Sequence, residues 1–156
     1  MNMDVEARLA ALGLKLPDAP SPAANYVPYV IANGLAFIAG QAPVVDGKYQ
    51  SVGRVGAEVT LEAAQAAARL CGLNVLAQVK AAAGGDWLRV KRCVRVCGYV
   101  SSAPDFFEQP KVVDGASDLM VQALGNAGKH ARSALGVLAL RGNVPVVIDA
   151  IFEIAD

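Results

Sequence analysis

The chain has 156 residues, of which 54% are apolar, and 14 lysines and arginines balance 14 aspartates and glutamates. This balance excludes the strongly basic surface with which many proteins attract nucleic acids or acidic membranes. The length is typical of one domain, so we expect a single domain over residues 1–156.

Residues 1–22 predict a short helix followed by a proline-rich connector. Val5, Leu9 and Leu12 recur at helical spacing, and Gly13 follows them as a common helix end. The PDAPSP stretch that completes the segment contains too many prolines for regular structure. The acidic N-terminus does not resemble a signal peptide, and no stretch has the composition of a membrane span, so we expect a cytoplasmic protein.

Two short apolar strands are predicted next, at 27–32 and 35–39. Asn33 and Gly34 lie between them, and this dipeptide is the strongest short signal for a β-hairpin. Pro28 cannot donate a backbone hydrogen bond, so the first strand is expected at a sheet edge or to begin near this residue.

The middle of the chain predicts a loop, a long helix and a strand. The loop covers 40–56 and is rich in glycine. Thr60 is a favourable N-cap for a helix over 61–83, which is rich in alanine and leucine. The segment 90–100 is rich in β-branched residues and predicts a strand.

The last third predicts a helix at 114–124 and strands at 132–140 and 144–154, the strands being joined by a turn at 141–143. The order of elements indicates an α+β fold in which two main helices pack on one face of a mixed sheet. The other face must then be solvated or covered by a partner. The high apolar fraction favours a partner.

Three cysteines, Cys71, Cys93 and Cys97, are present with one histidine. Four strand residues separate Cys93 from Cys97 by about 13 Å, which is beyond disulfide reach. A zinc site needs more ligands than these residues offer. We therefore expect buried free thiols, and neither a metal nor a cofactor.

Arg132 is the first candidate for a binding residue. It opens an otherwise apolar strand, where a guanidinium must find an acceptor or reach water. Arginine binds carboxylates through two parallel hydrogen bonds, so a ligand site and a structural salt bridge both remain open. For His130, a structural or solvent-exposed position is favoured over a catalytic one.

Three blocks of the sequence resemble the Rid (YjgF) family. The segment HARSALGVLAL, at 130–140, is similar to the family's C-terminal signature. FIAGQAP, at 37–43, is similar to its Gly-Gln-x-Pro segment, and 105–119 resembles the region after the third strand. The N-terminal helix and connector resemble the longer branch of the family, so the resemblance covers nearly the whole chain.

The resemblance implies a chorismate-mutase-like fold and a homotrimer whose sheets face inward. It also implies ligand sites at the subunit interfaces, where a small carboxylate or 2-imino acid binds. Active members hydrolyse enamines and imines, such as 2-aminoacrylate, to 2-keto acids and ammonia. Some family names carry an endoribonuclease activity instead, but the balanced charge makes nucleic acid an unexpected partner.

Carried over residue by residue, the resemblance assigns five binding positions. Arg132 pairs with the substrate carboxylate, and the backbone of Gly40 approaches the ligand. Tyr29 lines the pocket, and the backbone carbonyl of Ala134 holds the attacking water. Asp114 stands where the family commonly has asparagine.

Three other positions bear on catalysis. Val147 occupies the place of a glutamate that many active members use to polarise water, and valine cannot transfer a proton. Asp149 lies about 6.6 Å further along the same strand face, where structural pairing is favoured over a substitute catalytic role. Arg141 replaces a usual proline. These departures leave open a trimeric protein that binds a small carboxylate without turnover.

Overall fold

The computed structural model describes residues 4–156. Over this part of the chain the structure has three α-helices, three short 3₁₀ helices, a five-stranded sheet and a small two-stranded hairpin. The α-helices are α1 (Val5–Ala11), α2 (Leu61–Ala82) and α3 (Gln109–Leu124). The strands are β1 (Tyr29–Ala32), β2 (Leu35–Gln41), β3 (Val44–Val45), β4 (Lys48–Tyr49), β5 (Val90–Ser101), β6 (Ala131–Val137) and β7 (Val146–Ile154).

The sheet is mixed, with the strand order β1-β2-β7-β5-β6. β5 and β6 run parallel, and the other neighbouring pairs are antiparallel. The hairpin between β1 and β2 turns through Asn33 and Gly34, whose φ angles of 50° and 72° suit the twist of a two-residue turn. The sequence prediction of this hairpin is confirmed.

Helices cover one face of the sheet. Alternate residues of β7 are fully or almost fully buried on that face: Val146, Ile148, Ala150, Phe152 and Ile154. Each large side chain buried in this way contributes roughly 2 kcal/mol. The predicted α+β architecture, with two main helices on one face, is confirmed.

The long helix α2 begins as the sequence predicts. The Thr60 hydroxyl accepts a hydrogen bond of 3.1 Å from the Ala63 backbone N–H. The helix packs closely against α3, because a Cβ built on Gly115 would lie 2.1 Å from the carbonyl oxygen of Gln65. At Gly72, a Cβ would lie 3.1 Å from the Leu119 side chain. Glycine is required where the two helices approach most closely.

The N-terminal helix α1 ends just before Gly13, the residue that the sequence indicates as its end, and Gly13 has a positive φ of 71°. Val5 and Leu9 are buried, and the Asp4 carboxylate caps the helix by accepting a 2.9 Å hydrogen bond from Ala7. Leu12 is the C-cap and is exposed, so it does not belong to the buried stripe. The proline-rich connector is irregular, as expected.

Two predictions were wrong, the start of the second main helix and the absence of strands from the segment 40–56. α3 begins at Gln109 instead of Asp114, because Pro110 lies in the first turn, where a missing N–H costs nothing. The glycine-rich segment 40–56 contains the β3–β4 hairpin, and its first residue, Gly40, belongs to β2.

The last two strands are shorter than predicted. β6 ends at Val137, which pairs with Ser101, the last residue of its neighbour β5, so 138–140 have no strand to pair with. β7 begins at Val146, after Pro145, whose backbone has no N–H to donate to a ladder.

None of the helices in the described part of the chain is long and apolar enough to span a membrane.

The contact between α2 and α3 gives a stability prediction. We expect Gly115→Ala to lower the free energy of unfolding by about 3 kcal/mol or more, because the added methyl group meets backbone that cannot rotate away. Asp118→Ala, at an exposed position of the same helix, should change it by less than about 0.5 kcal/mol. Urea denaturation measures both, and equal midpoints would contradict the packing described.

Candidate functional site

Apolar side chains occupy the sheet face that the helices leave open. Phe37 of β2 and Leu135 of β6 are 43% and 48% exposed, and Val30 of β1 is 52% exposed. Ile151 and Tyr99 are partly exposed between them on the same face. These five side chains come from all five strands of the sheet, and exposed apolar patches of this kind commonly mark sites of association.

One polar pair lies within this open face. The Tyr99 hydroxyl donates a 2.8 Å hydrogen bond to Oδ2 of Asp149. Hydrogen bonds with Cys97 and Asp149 raise the pKa of Tyr99 above its usual value. Asp149 is therefore already paired, which agrees with the structural role favoured from the sequence.

Arg132 lies on the edge strand β6, and its side chain extends towards α3, away from the open face. Its Nη1 donates to Oδ1 of Asp114 at 2.6 Å and to Oγ of Ser117 at 3.3 Å. Asp114 and Ser117 are three residues apart, so they lie on the same face of α3. The Arg132 side chain is 26% exposed. Within residues 4–156 its other guanidinium nitrogens make no side-chain hydrogen bond, so they remain able to bind a carboxylate.

His130 joins this cluster through Ser117. Its Nε2 lies 2.9 Å from the Ser117 hydroxyl oxygen, and its Nδ1 lies 2.6 Å from the carbonyl oxygen of Gly128. The sequence analysis did not identify Ser117. Its position three residues after Asp114 on a helix was the signal that could have found it.

A second group of predicted residues lies around Gly40. A Cβ at Gly40 would be 2.9 Å from Cγ1 of Val147, so these two residues touch across neighbouring strands. Both line an open cavity of about 1090 Å³ between the N-terminal connector and the sheet. Arg141 also lines this cavity, and its guanidinium makes no ion pair with any residue from 4 to 156.

Tyr26 and Tyr49 are the aromatic residues that line this cavity. Tyr29 packs partly against the hydrophobic core. Ala134 also packs against the core. It lies two residues after Arg132 on the same side of β6.

The predicted binding residues thus form two separate groups. Gly40 is on β2, while Arg132 is on β6, and β7 and β5 lie between these strands. Three strand spacings amount to about 14 Å, which is wider than a small imino acid. One chain alone does not place Gly40 and Arg132 around the same small ligand.

The described residues contain no cluster of histidine, cysteine and acidic side chains able to hold a metal ion. The three thiols are buried and free. Burial raises the pKa of Cys71 above its usual range and that of Cys93 to about 12. Neither thiol is an activated nucleophile, because only the thiolate reacts readily.

A family model described as "YjgF/chorismate_mutase-like, putative endoribonuclease" matches residues 6–148. The chain belongs to this family. Protein TCP17 of Trypanosoma cruzi is 44% identical over 151 residues, covering 96% of this chain and 94% of that protein.

Two solved structures support this family membership and the fold. Atu1372 of Agrobacterium tumefaciens, described as having unknown function, is 45% identical with a TM-score of 0.90, covering 97% of this chain and 94% of that one. A "putative endoribonuclease" of Shewanella oneidensis is 35% identical with a TM-score of 0.92, covering 96% and 99%. The YjgF/chorismate-mutase-like fold expected from the sequence is confirmed.

The thiols provide a test of the core around this site. In a Cys97→Ser variant only Cys71 and Cys93 remain, and we expect them to react with a disulfide reagent at pH 8 at least about 100-fold more slowly than in urea. Both thiols should react fully once the protein is unfolded. Rapid reaction in the native state would contradict the burial described.

Proposed function

We propose that the chain is a Rid-type imine deaminase of the cytoplasm that hydrolyses small 2-imino acids to 2-keto acids and ammonia. The observation that carries the proposal is the hydrogen bonding of the Arg132 guanidinium. Asp114 fixes this guanidinium through one nitrogen, while its remaining N–H groups are able to receive a substrate carboxylate.

The site would be completed by a second copy of the chain in a homotrimer. The separation of Gly40 and Val147 from Arg132 supports this arrangement, because a neighbouring subunit could bring the two groups together. The apolar side chains of the open face also support it, since burying them between copies removes apolar surface from water.

The chemistry required is modest. The substrate carboxylate must be held in place, a water molecule must be positioned to attack the imine carbon, and other water must be excluded from the site. Arg132 would fix the carboxylate, and the backbone carbonyl of Ala134, two residues further along β6, would accept a hydrogen bond from the water. Gly40 leaves room for the ligand because it has no side chain.

A second candidate function is binding of a small carboxylate without turnover. Val147 favours it, because this side chain beside Gly40 can neither accept nor deliver a proton. Asp149, the nearest acidic residue on the strand, is already bonded to Tyr99. We do not propose an endoribonuclease, because the balanced charge gives the chain no long-range attraction for RNA.

The role of Arg132 can be measured directly. The wild-type protein should shorten the lifetime of imines released by an amino-acid oxidase, and Arg132→Ala should lower kcat/KM at least about 30-fold, since the charged partner of the substrate carboxylate is lost. Arg69→Ala, at a surface arginine of α2, is the matched control and should change little.

No acceleration by the wild-type protein with any of several imine side chains would contradict the deaminase. Retention of 2-oxobutyrate binding in Arg132→Ala, measured by calorimetry, would contradict both candidate functions.

The absence of an acid-base group at Val147 gives a gain-of-function prediction. Val147→Glu should raise kcat for imine hydrolysis about 10-fold, because it places a carboxylate beside Gly40. Val147→Gln has nearly the same shape but cannot transfer a proton, so it should show no gain. Equal rates for the two variants would contradict a proton-transfer role at this position.

A further inference from the structure

The geometry points to His130 as the group that accepts and returns protons during imine hydrolysis, acting through the hydroxyl of Ser117. This inference rests on the proposed function and adds to it the residue that transfers protons. Two of its three observations are the hydrogen bonds on either side of the His130 ring. The third is the contact between Ser117 and Arg132.

The hydrogen bonds of His130 determine which nitrogen carries the proton. A carbonyl oxygen only accepts, so Nδ1 must donate to Gly128 across 2.6 Å. In the neutral ring Nε2 is then an acceptor, and the Ser117 hydroxyl donates to it across 2.9 Å. A base bonded to a hydroxyl and oriented from behind by a third group is a recurrent arrangement for moving protons.

Ser117 connects this base to the carboxylate anchor. Its oxygen accepts a hydrogen bond from Nη1 of Arg132 at 3.3 Å while its proton points to His130. A substrate held by Arg132 would therefore lie beside Ser117. Ser117 and His130 are both half-buried, so solvent reaches them only in part.

Other candidate proton carriers in the chain are less suitable. Asp149 lies on the opposite face of the sheet and accepts a hydrogen bond from Tyr99. Cys71 and Cys93 are buried with raised pKa values. Asp114 is close to Arg132 but is ion-paired with it. The acceptor nitrogen of His130, Nε2, is directed towards the cluster, where the Ser117 hydroxyl donates to it.

The proton transfers balance through one cycle. The substrate enters as the protonated imine, C=NH2+. As water forms a bond to its carbon and the C=N π electrons move to nitrogen, Ser117 takes a proton from water and passes its own to Nε2. The imidazolium then returns a proton through Ser117 to the amine nitrogen. The C–N bond breaks as the hydroxyl oxygen forms the C=O bond, and the hydroxyl proton leaves with ammonia as ammonium.

The first test replaces the base while keeping a hydrogen-bonding side chain. His130→Gln can still accept from Ser117 but cannot take up a proton, so kcat should fall about 100-fold while KM changes less than about threefold. Ser117→Ala should show a similar fall. The matched control is Lys129→Ala, at the exposed neighbouring residue, which should retain wild-type kcat. Thermal melting of each variant identifies any loss from unfolding.

The second test supplies the missing group from solution. In His130→Ala, added imidazole should restore kcat at least about fivefold above an imidazole blank without protein. The same imidazole should not restore Ser117→Ala. A merely structural role for His130 would lower the melting temperature but would give no such rescue.

The outcomes separate this inference from the proposed function. If the wild-type protein is active and the kcat of His130→Gln lies within threefold of the wild-type kcat, the role of His130 is overturned and the deaminase function stands. Absence of wild-type activity would overturn both. A fall in kcat that imidazole does not relieve would also overturn the proton-transfer role.

Discussion

Every second residue of β7 from Val146 to Ile154 is buried under the helices, and this alternation determines which side of the sheet the intervening residues occupy. A shift of one residue would bury Asp149 in the core and expose Phe152. The observed register instead places Val147 and Asp149 on the open face, where Asp149 binds Tyr99. The central strand thus fixes the positions of the residues that bear on catalysis as well as the packing of the core.

The position of β6 at the edge of the sheet explains the other half of the site. This strand has one neighbour, β5, so Arg132 can extend from the edge and reach α3. Asp114 and Ser117 meet it there because they lie one turn apart on that helix. The sheet itself separates this cluster from Gly40 on β2, which is why the proposed site needs a second copy of the chain.

Local signals in the sequence predicted much of the fold. Asn33-Gly34 specified the first hairpin and Thr60 specified the start of α2, because each acts through backbone contacts only a few residues away. The start of α3 was less accessible. Pro110 is compatible both with a loop and with the first turn of a helix, and the packing of the whole helix decides between them.

The candidate site was predicted only in part. Arg132 was identified from its place in an apolar strand and Asp114 from the resemblance, but their ion pair depends on how α3 packs against β6. The bond between Ser117 and His130 likewise depends on where the turn after α3 places the histidine. The place of Tyr26 in the cavity lining has the same origin, since the path of the connector is set by tertiary contacts.

The central claim is that each site combines Arg132 of one chain with Gly40 and Val147 of another. Co-expression of two differently tagged variants tests it: Arg132→Ala removes one half of the site, and Val147→Trp fills the space beside Gly40 in the other half. After purification through both tags, the mixed assembly should bind 2-oxobutyrate at about one site per trimer, although neither variant alone binds it. A mixed assembly that binds no more than its parents would contradict a shared site.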